Sequence, residues 1–596
     1  MQDKFQSIIS AHETRLAHDT KISDIFGYAK LAAVVAVVVC IVLLFTSSFA
    51  AGIALLTAAV FALTIFLWVC HYRIDNKIKY AKGICQICKR HIARITGEWS
   101  TFPDTGQEFI DLTHPYACDL DIVGAKSLFQ FLNTTHTWHG RQAFANDLLC
   151  PQYNPQQIAG RQAAIAELAG DIDFANDMEF FLSQIGAGTQ DANFVEELAD
   201  SKVFIKSVPV KFLISYMPVA TVLLLAGGAI FQARPVLIAG LVCIVLQQIL
   251  CWLSGAKPAL YLGIMNRMPY KLGRYAAVME TIATRNFTSQ RLEYIRTVLQ
   301  SGRSAVKELE SIGNKLSVIA NPLVYILLNL LLLWDFHCAF LLERWKEKHA
   351  KNVPAWFAAI GEFESLLAFS HLPNVCEGTA LPSVTDVAKT LAATALGHPL
   401  LPNGSRVCND FRMGNNIFII SGSNMSGKTT FMRTVGVNLV LARAGSFVCA
   451  GGMSCSIFDI VTSMRISDDL NQGVSTFYAE LTRVKGIIDA AKENPATLFL
   501  IDEIFKGTNS VDRLAGADAV IATLERLGAV GMVSTHDLEL CKLADIHDRI
   551  LNFSFSENYK DGKINFSYKM QPGKSQTTNA KFLMEMVGIT KSTGCK

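Results

Sequence analysis

Charge is scarce in this chain, and the scarcity is uneven. Only 18% of the 596 residues are Asp, Glu, Lys or Arg, against roughly 25% in an average soluble protein. Between Leu31 and Cys70 there are 40 consecutive residues with none. With 51% hydrophobic residues and a mean hydropathy of +0.30, the composition excludes a disordered or collagen-like chain and argues against a purely soluble one. Neither sign of charge is in excess: 54 basic residues face 51 acidic ones, a net +3, so the bulk charge marks no nucleic-acid binder. The first 20 residues lack the basic, apolar and cleavage segments of a secretory leader. The 15 cysteines are scattered, several inside apolar runs (Cys40, Cys70, Cys243, Cys251), which is thiol usage and not a disulfide framework.

The hydrophobicity is concentrated in two places. The Leu31–Cys70 run has the length of two membrane helices, since one span needs about 20 residues. Thr46, Ser47, Ser48 and Gly52 place a turn near its middle, and Lys30 on one side and Arg73, Lys77, Lys79 and Lys82 on the other put both ends on the cytosolic side. A second pair, Phe212–Ala233 and Pro235–Ala256, repeats the design with only Arg234 between the helices. These runs predict two transmembrane hairpins, with tips outside and both termini in the cytosol. A fifth apolar stretch, Leu316–Trp334, contains Asn321, Pro322 and Asn329 and continues into an amphipathic segment. It reads as a buried core helix, because a fifth span would put the chain's last third outside, away from ATP.

That last third carries the chemistry. Ile417–Ile420 is a strand-length apolar run leading into Gly422-Ser423-Asn424-Met425-Ser426-Gly427-Lys428-Thr429, followed by a helix-compatible stretch that starts at Thr430. Strand, G-x-x-x-x-G-K-S/T loop and helix, in that order, is the context of a phosphate-binding loop. Its backbone N–H groups wrap phosphates at a helix N-terminus. Lys428 reaches the β- and γ-phosphates, and Thr429 ligates Mg²⁺. About 75 residues on, Leu498-Phe-Leu-Ile leads to Asp502-Glu503. Asp502 suits the Mg²⁺ shell and Glu503 suits polarising water. Gly531-Met-Val-Ser-Thr535-His536 is a further strand ending in a histidine placed to sense the γ-phosphate.

These segments resemble the ATPase domain of the MutS family. Ser421–Thr430 resembles its phosphate loop, Asp502–Ser510 its Walker B segment, Ser534-Thr-His536 its switch histidine, and Gly473-Val-Ser475-Thr-Phe477 with Glu480 the segment whose serine completes the partner subunit's site. Gly397-His398-Pro399 and Asn409-Asp410 resemble the approach to that domain, and Tyr568–Gly588 its closing hairpin and helix. Asp119–Leu148 and Trp356–Phe369 resemble, more weakly, the ends of its helical core. The resemblance implies ATP and Mg²⁺ as ligands, a homodimer with Ser475 acting in trans, and a DNA-repair context. No Phe-x-Glu mismatch wedge occurs in the first 100 residues, where a membrane hairpin stands instead.

Two further signals are local. Cys85-x-x-Cys88-x-x-His91, with His114 and Cys118, offers zinc-ligand types, but a single CxxC on a basic helix is read in preference as free cytosolic thiols on a juxtamembrane helix. The basic residues from Arg73 to Arg94 suit anionic headgroups beside a span, ahead of nucleic acid.

The reading is a multi-domain chain: an α-helical core with two transmembrane hairpins and a C-terminal α/β P-loop NTPase domain of the MutS type. Its boundaries are a cytosolic segment at 1–29, hairpin one at 30–72, the first part of the core at 73–206, hairpin two at 207–256, the second part at 257–390 and the ATPase domain at 391–596. The expected function is a homodimeric, membrane-anchored ATPase of the cytoplasmic (inner) membrane, with four spans. Two rivals stand beside it: a tethered DNA-binding repair factor, and a transporter ATPase. No LSGGQ-type signature supports the latter, and no charge lies within the four spans to mark a substrate path.

Overall fold

The computed structural model describes all residues except 47–49, 152, 187–189, 201–203, 206, 256, 264, 266–268, 317–320, 387–388, 424, 466–475, 506–509, 561–562 and 576–596. Its N-terminal part is helical and its C-terminal part is an α/β sheet domain.

Two long helices open the chain, α1 (Gln2–Thr46) and α2 (Ala50–Thr96), packed along each other. Their apolar halves stand bare, with Val35, Leu55, Phe66 and Trp68 more than half exposed. Their polar halves instead bury side chains: Phe5 and Ile9 of α1 meet Ile84, Cys85 and Cys88 of α2 in the main core. Within the basic stretch of α2, Arg94 is buried and donates to Phe131 O at 2.7 Å and Asn133 O at 2.9 Å. It holds the core together and is no ligand for headgroups.

The core helices start where the sequence supplies caps. In α3 (Trp138–Leu149) the Thr137 hydroxyl accepts from Gly140 N. In α4 (Pro155–Gly170) Asn154 and Gln157 form a capping box around a first-turn proline. In α5 (Ile172–Ser183) Asp171 accepts from Phe174 N.

The second apolar pair forms α6 (Val208–Ile230) and α7 (Arg234–Leu253). Small residues bring them close: a Cβ at Gly240 would lie 2.7 Å from the Leu225 side chain. Thr221 donates to Gln247 Oε1 at 2.6 Å between them. Among the described residues, four helices, α1, α2, α6 and α7, are long and apolar enough to cross a membrane by length and composition, and five if the bent pair that begins at Pro322 counts as one span.

The chain then returns through α8 (Pro269–Thr284) and α9 (Gln290–Leu316). On α9, Leu292, Ile295, Leu299, Val306 and Leu309 make a buried stripe at helical spacing. The expectation of a buried core helix over Leu316–Trp334 is wrong. Leu316 ends α9, and the run's described remainder is α10 (Pro322–Leu332), with no buried residue and with Leu323, Ile326 and Leu327 exposed. It leans on α6 and α7. The axis turns by 77° at Leu333, whose φ is +50°, into α11 (Trp334–His349). Asn321 and Asn329 are local fastenings and not core polar groups. Asn321 caps α10, and Asn329 Oδ1 accepts from Asp335 N at 3.0 Å across the bend. The true central helix is α12 (Val353–Ser370), buried along most of its length against α3, α4 and α9.

The C-terminal domain holds two sheets. Strands β1 (Ser383–Thr385), β2 (Leu391–Leu396), β3 (Asn409–Met413) and β5 (Gly452–Ser456) form one, in the order β1-β5-β2-β3. The other runs β10-β9-β4-β8-β7-β6 and consists of β4 (Ile417–Ser421), β6 (Asp459–Ser463), β7 (Thr497–Asp502), β8 (Val530–Thr535), β9 (Ile550–Lys560) and β10 (Lys563–Pro572). Every pairing in the larger sheet is parallel except β9–β10. β4, β7 and β8 are adjacent, buried and co-directional, so their C-terminal ends open at one edge of the domain.

Candidate active site

The loop after β4 turns on residues that tolerate little beyond what is there. Gly422 has φ +152°, and a Cβ on it would lie 2.9 Å from both Phe555 O and Ser426 Oγ. Gly427 has φ +106° and caps α13 (Lys428–Arg443). The Ser426 hydroxyl is buried inside this crook without a hydrogen-bond partner. The Lys428 ammonium folds back over the loop onto Gly422 O at 2.7 Å and Ser423 O at 2.9 Å. Ser423 Oγ donates to Glu557 of β9. Met425 and Thr430 lie exposed at the rim, Met425 with φ +70°.

The acids arrive from β7. Thr429 Oγ1, in the first turn of α13, donates to Asp502 at 3.0 Å from each carboxylate oxygen. Ser534 of β8 donates to the same carboxylate. Glu503 sits at φ +54°, its N–H donating to Ser534 O at 3.1 Å. Its carboxylate is 3.7 Å from His536 Nδ1. Of the residues singled out in the sequence, Gly422, Ser423, Ser426, Gly427, Lys428, Thr429, Asp502, Glu503 and His536 thus share one edge of the sheet. Asn424 and Ser475 lie outside the described residues.

Beside the loop, a cavity of about 370 Å³ is lined by His398, Asn409, Gly427, Phe431, Phe555 and Tyr568, among others. Burial, with Arg433 and Arg406 adding to it, holds the His398 imidazole down at about 4, so it is neutral at physiological pH. Asn409 fastens β10 at this wall: it donates to Tyr568 O at 3.0 Å and accepts from Met570 N at 2.9 Å. Sequence reasoning gave Asn409 and Tyr568 no place at the site and missed Glu557 and the cavity altogether. The contacts join segments about 160 positions apart, and no local pattern announces them.

The helical core grips this domain through two acids. Asp119 accepts from Met464 N, Arg465 N and Thr462 Oγ1 at 2.8–3.0 Å, just beyond and within β6. Asp121 pairs with Arg433 of α13 at 3.0 Å and with Arg465 at 2.7 Å. Motion of the helix behind the loop is therefore tied to the start of the core.

The candidate zinc set of the sequence does not assemble. Cys85 Sγ donates to Ile9 O, Cys88 Sγ accepts from Asn176, His114 Nε2 meets Leu149 O, and Cys118 Sγ donates to Asp111 O.

Residues 418–592 match the family model for MutS domain V. Over these residues the chain is similar to the MutS family. Similar curated proteins are the DNA mismatch repair protein MutS of Shouchella clausii, 31% identical over 253 residues, which cover 41% of this chain and 29% of that protein. MutS of Lactobacillus helveticus is 34% identical over 239 residues, 39% of this chain and 28% of its own. MutS 2 of Haloarcula marismortui is 36% identical over 176 residues, 29% and 18% respectively. Each match spans under a third of the relative's length, and the matched domain V is the part that contains the loop and the acids.

Proposed function

We propose that the chain is a membrane-anchored MutS-like ATPase, which binds and hydrolyses MgATP at this loop and acts as a homodimer. One observation carries the reading: the Thr429 hydroxyl and the Asp502 carboxylate meet at 3.0 Å directly behind a glycine-cornered loop roofed by Lys428. The residues fit the ligands. Both loop glycines leave no room for a side chain where backbone must approach phosphate, and the buried Ser426 hydroxyl lacks a protein partner. Thr429 and Asp502 would hold Mg²⁺, which neutralises phosphate charge when bound. Lys428 turns from the loop carbonyls to the phosphates, Glu503 orients water, and His536 links Glu503 to the γ-phosphate position. The neutral His398, Phe431 and Tyr568 form a wall suited to a flat aromatic base.

Glu503→Gln should keep nucleotide binding and slow hydrolysis about 10²–10⁴-fold, whereas Lys428→Ala should weaken binding itself. A wild-type turnover rate in Glu503→Gln would overturn the assignment. The four candidate spans support an anchor in the cytoplasmic membrane with both termini and domain V in the cytosol, and with hairpins at 30–72 and 207–256 as separate units. The composite dimer site rests on Ser475, by resemblance.

A second reading, a tethered DNA-binding repair factor, draws on the names of the relatives. It requires DNA affinity that falls steeply with salt, and a flat or absent binding curve in a filter titration would remove it.

A further inference from the structure

Side chains from four places in the sequence converge on one buried point. His91 comes from the polar half of α2, Glu179 from α5, His371 from the residue after α12, and His136 from the loop before α3. The side chains of His91 and Glu179 are fully buried and that of His371 is 4% exposed. His91 Nε2 lies 3.7 Å, and His371 Nε2 3.6 Å, from the same oxygen, Glu179 Oε2. His136 Nε2 lies 3.7 Å from Glu179 Oε1. The donor atoms of His91, Glu179 and His371 all fall within 4.8 Å of one another. Nε2 of all three histidines and both oxygens of Glu179 are buried with no hydrogen-bond partner.

The spacing decides what belongs there. An N–H···O hydrogen bond closes at about 2.7–3.2 Å, and none of these three contacts does. Ligands held about 2.0–2.2 Å from a tetrahedral zinc ion stand roughly 3.3–3.6 Å from each other. The donor set, imidazole nitrogen with one carboxylate oxygen, suits zinc and not the all-oxygen shells of magnesium or calcium. One cation would satisfy His91 Nε2, His371 Nε2 and a Glu179 oxygen together, each of which is costly to leave unpaired.

We propose that His91, Glu179 and His371 form a buried zinc site that ties α2 to the helical core, with His136 facing the second oxygen of Glu179. Zinc on Nε2 moves the His91 proton to Nδ1, where Arg94 now makes a long 3.3 Å contact. Arg94 can release that contact and keep its shorter bonds to Phe131 O and Asn133 O. The competing arrangement is a proton-only network in which the three rings donate to Glu179, with Arg90 at 3.8 Å from Oε1.

Metal analysis of the full-length, tag-free protein in detergent separates the two. The wild type should carry about one zinc per chain, Glu179→Gln and His371→Ala should fall to background, and the Cys85→Ser/Cys88→Ser double variant should keep its zinc. Should the point variants fail to fold, the wild type still decides: 1,10-phenanthroline should lower its unfolding temperature, and Zn²⁺, not Mg²⁺, should restore it. Background zinc in the wild type both as isolated and after zinc add-back establishes the proton-only network and overturns the proposal. So does zinc that survives His371→Ala and is lost with the two cysteines.

Discussion

Helices α10 and α12 are both apolar and both begin with a proline in the first turn, yet α10 buries none of its residues and α12 buries most of its 18. The difference lies in what interrupts the apolar surface. α12 carries small residues where neighbours press in: a Cβ at Gly361 would lie 2.7 Å from His139 O. Its polar groups are met inside the core, Glu364 by His136 N at 2.7 Å and Thr137 N at 3.2 Å, and Ser365 by Asp147 at 2.5 Å. α10 is bulky all round, and its polar side chains Tyr325 and Asn329 both turn to Asp335 of α11. A helix enters a protein core only where it offers holes as well as knobs and brings its polar groups to partners. A uniformly bulky one remains outside, where lipid would suit it.

The contrast can be broken most severely at Trp356. It packs on Gly302, where a Cβ would lie 2.8 Å from its ring, and donates to Ser301 Oγ at 3.0 Å. Trp356→Ala should cost about 3–5 kcal/mol in denaturant unfolding of the detergent-solubilised protein. A loss below about 1 kcal/mol, the average for an ordinary point mutant, would mean that α12 is not the centre of the core. Next in size, Leu327→Arg in α10 should cost about 2.5–3.5 kcal/mol if its exposed face meets lipid at depth, as should Leu223→Arg in α6. Both should be neutral within about 0.5 kcal/mol if those faces meet water. Reconstituted protein, tested by alkaline extraction and unfolding, gives the answer. The smallest effect belongs between the hairpin helices. A Thr221→Val/Gln247→Leu double-mutant cycle should return a coupling of about 0.6 kcal/mol, and zero coupling would remove their 2.6 Å hydrogen bond from the account.

The sequence made the phosphate loop legible because each of its parts is local: a strand, two glycines and a Lys-Thr pair in one stretch. The meeting of Thr429 with Asp502 followed, since one opens the helix after β4 and the other ends β7, parallel strands with only β8 between them. The cavity wall of Asn409 and Tyr568 was not legible, because only tertiary folding brings β3 to β10. His91 was noticed for its neighbours Cys85 and Cys88, which point elsewhere. Its real companions, Glu179 and His371, are respectively 88 and 280 positions away (179 − 91 and 371 − 91), and nothing around either marks it. The error at Leu316–Trp334 came from weighing Asn321 and Asn329 as core residues when both fasten helix ends.

The opening pair of helices has a mechanical consequence. At 45 and 47 residues, each is about 70 Å long, more than twice the roughly 30 Å of a bilayer's hydrocarbon, and side chains buried in the main core lie only toward the polar end. Such a pair is a lever with a short gripped arm and a long free one. A tilt of about five degrees at the grip moves the far end, about 50 Å away, by about 4–5 Å. A membrane that holds the far end would therefore register, and push back against, rotations of the core too small to part any two packed side chains.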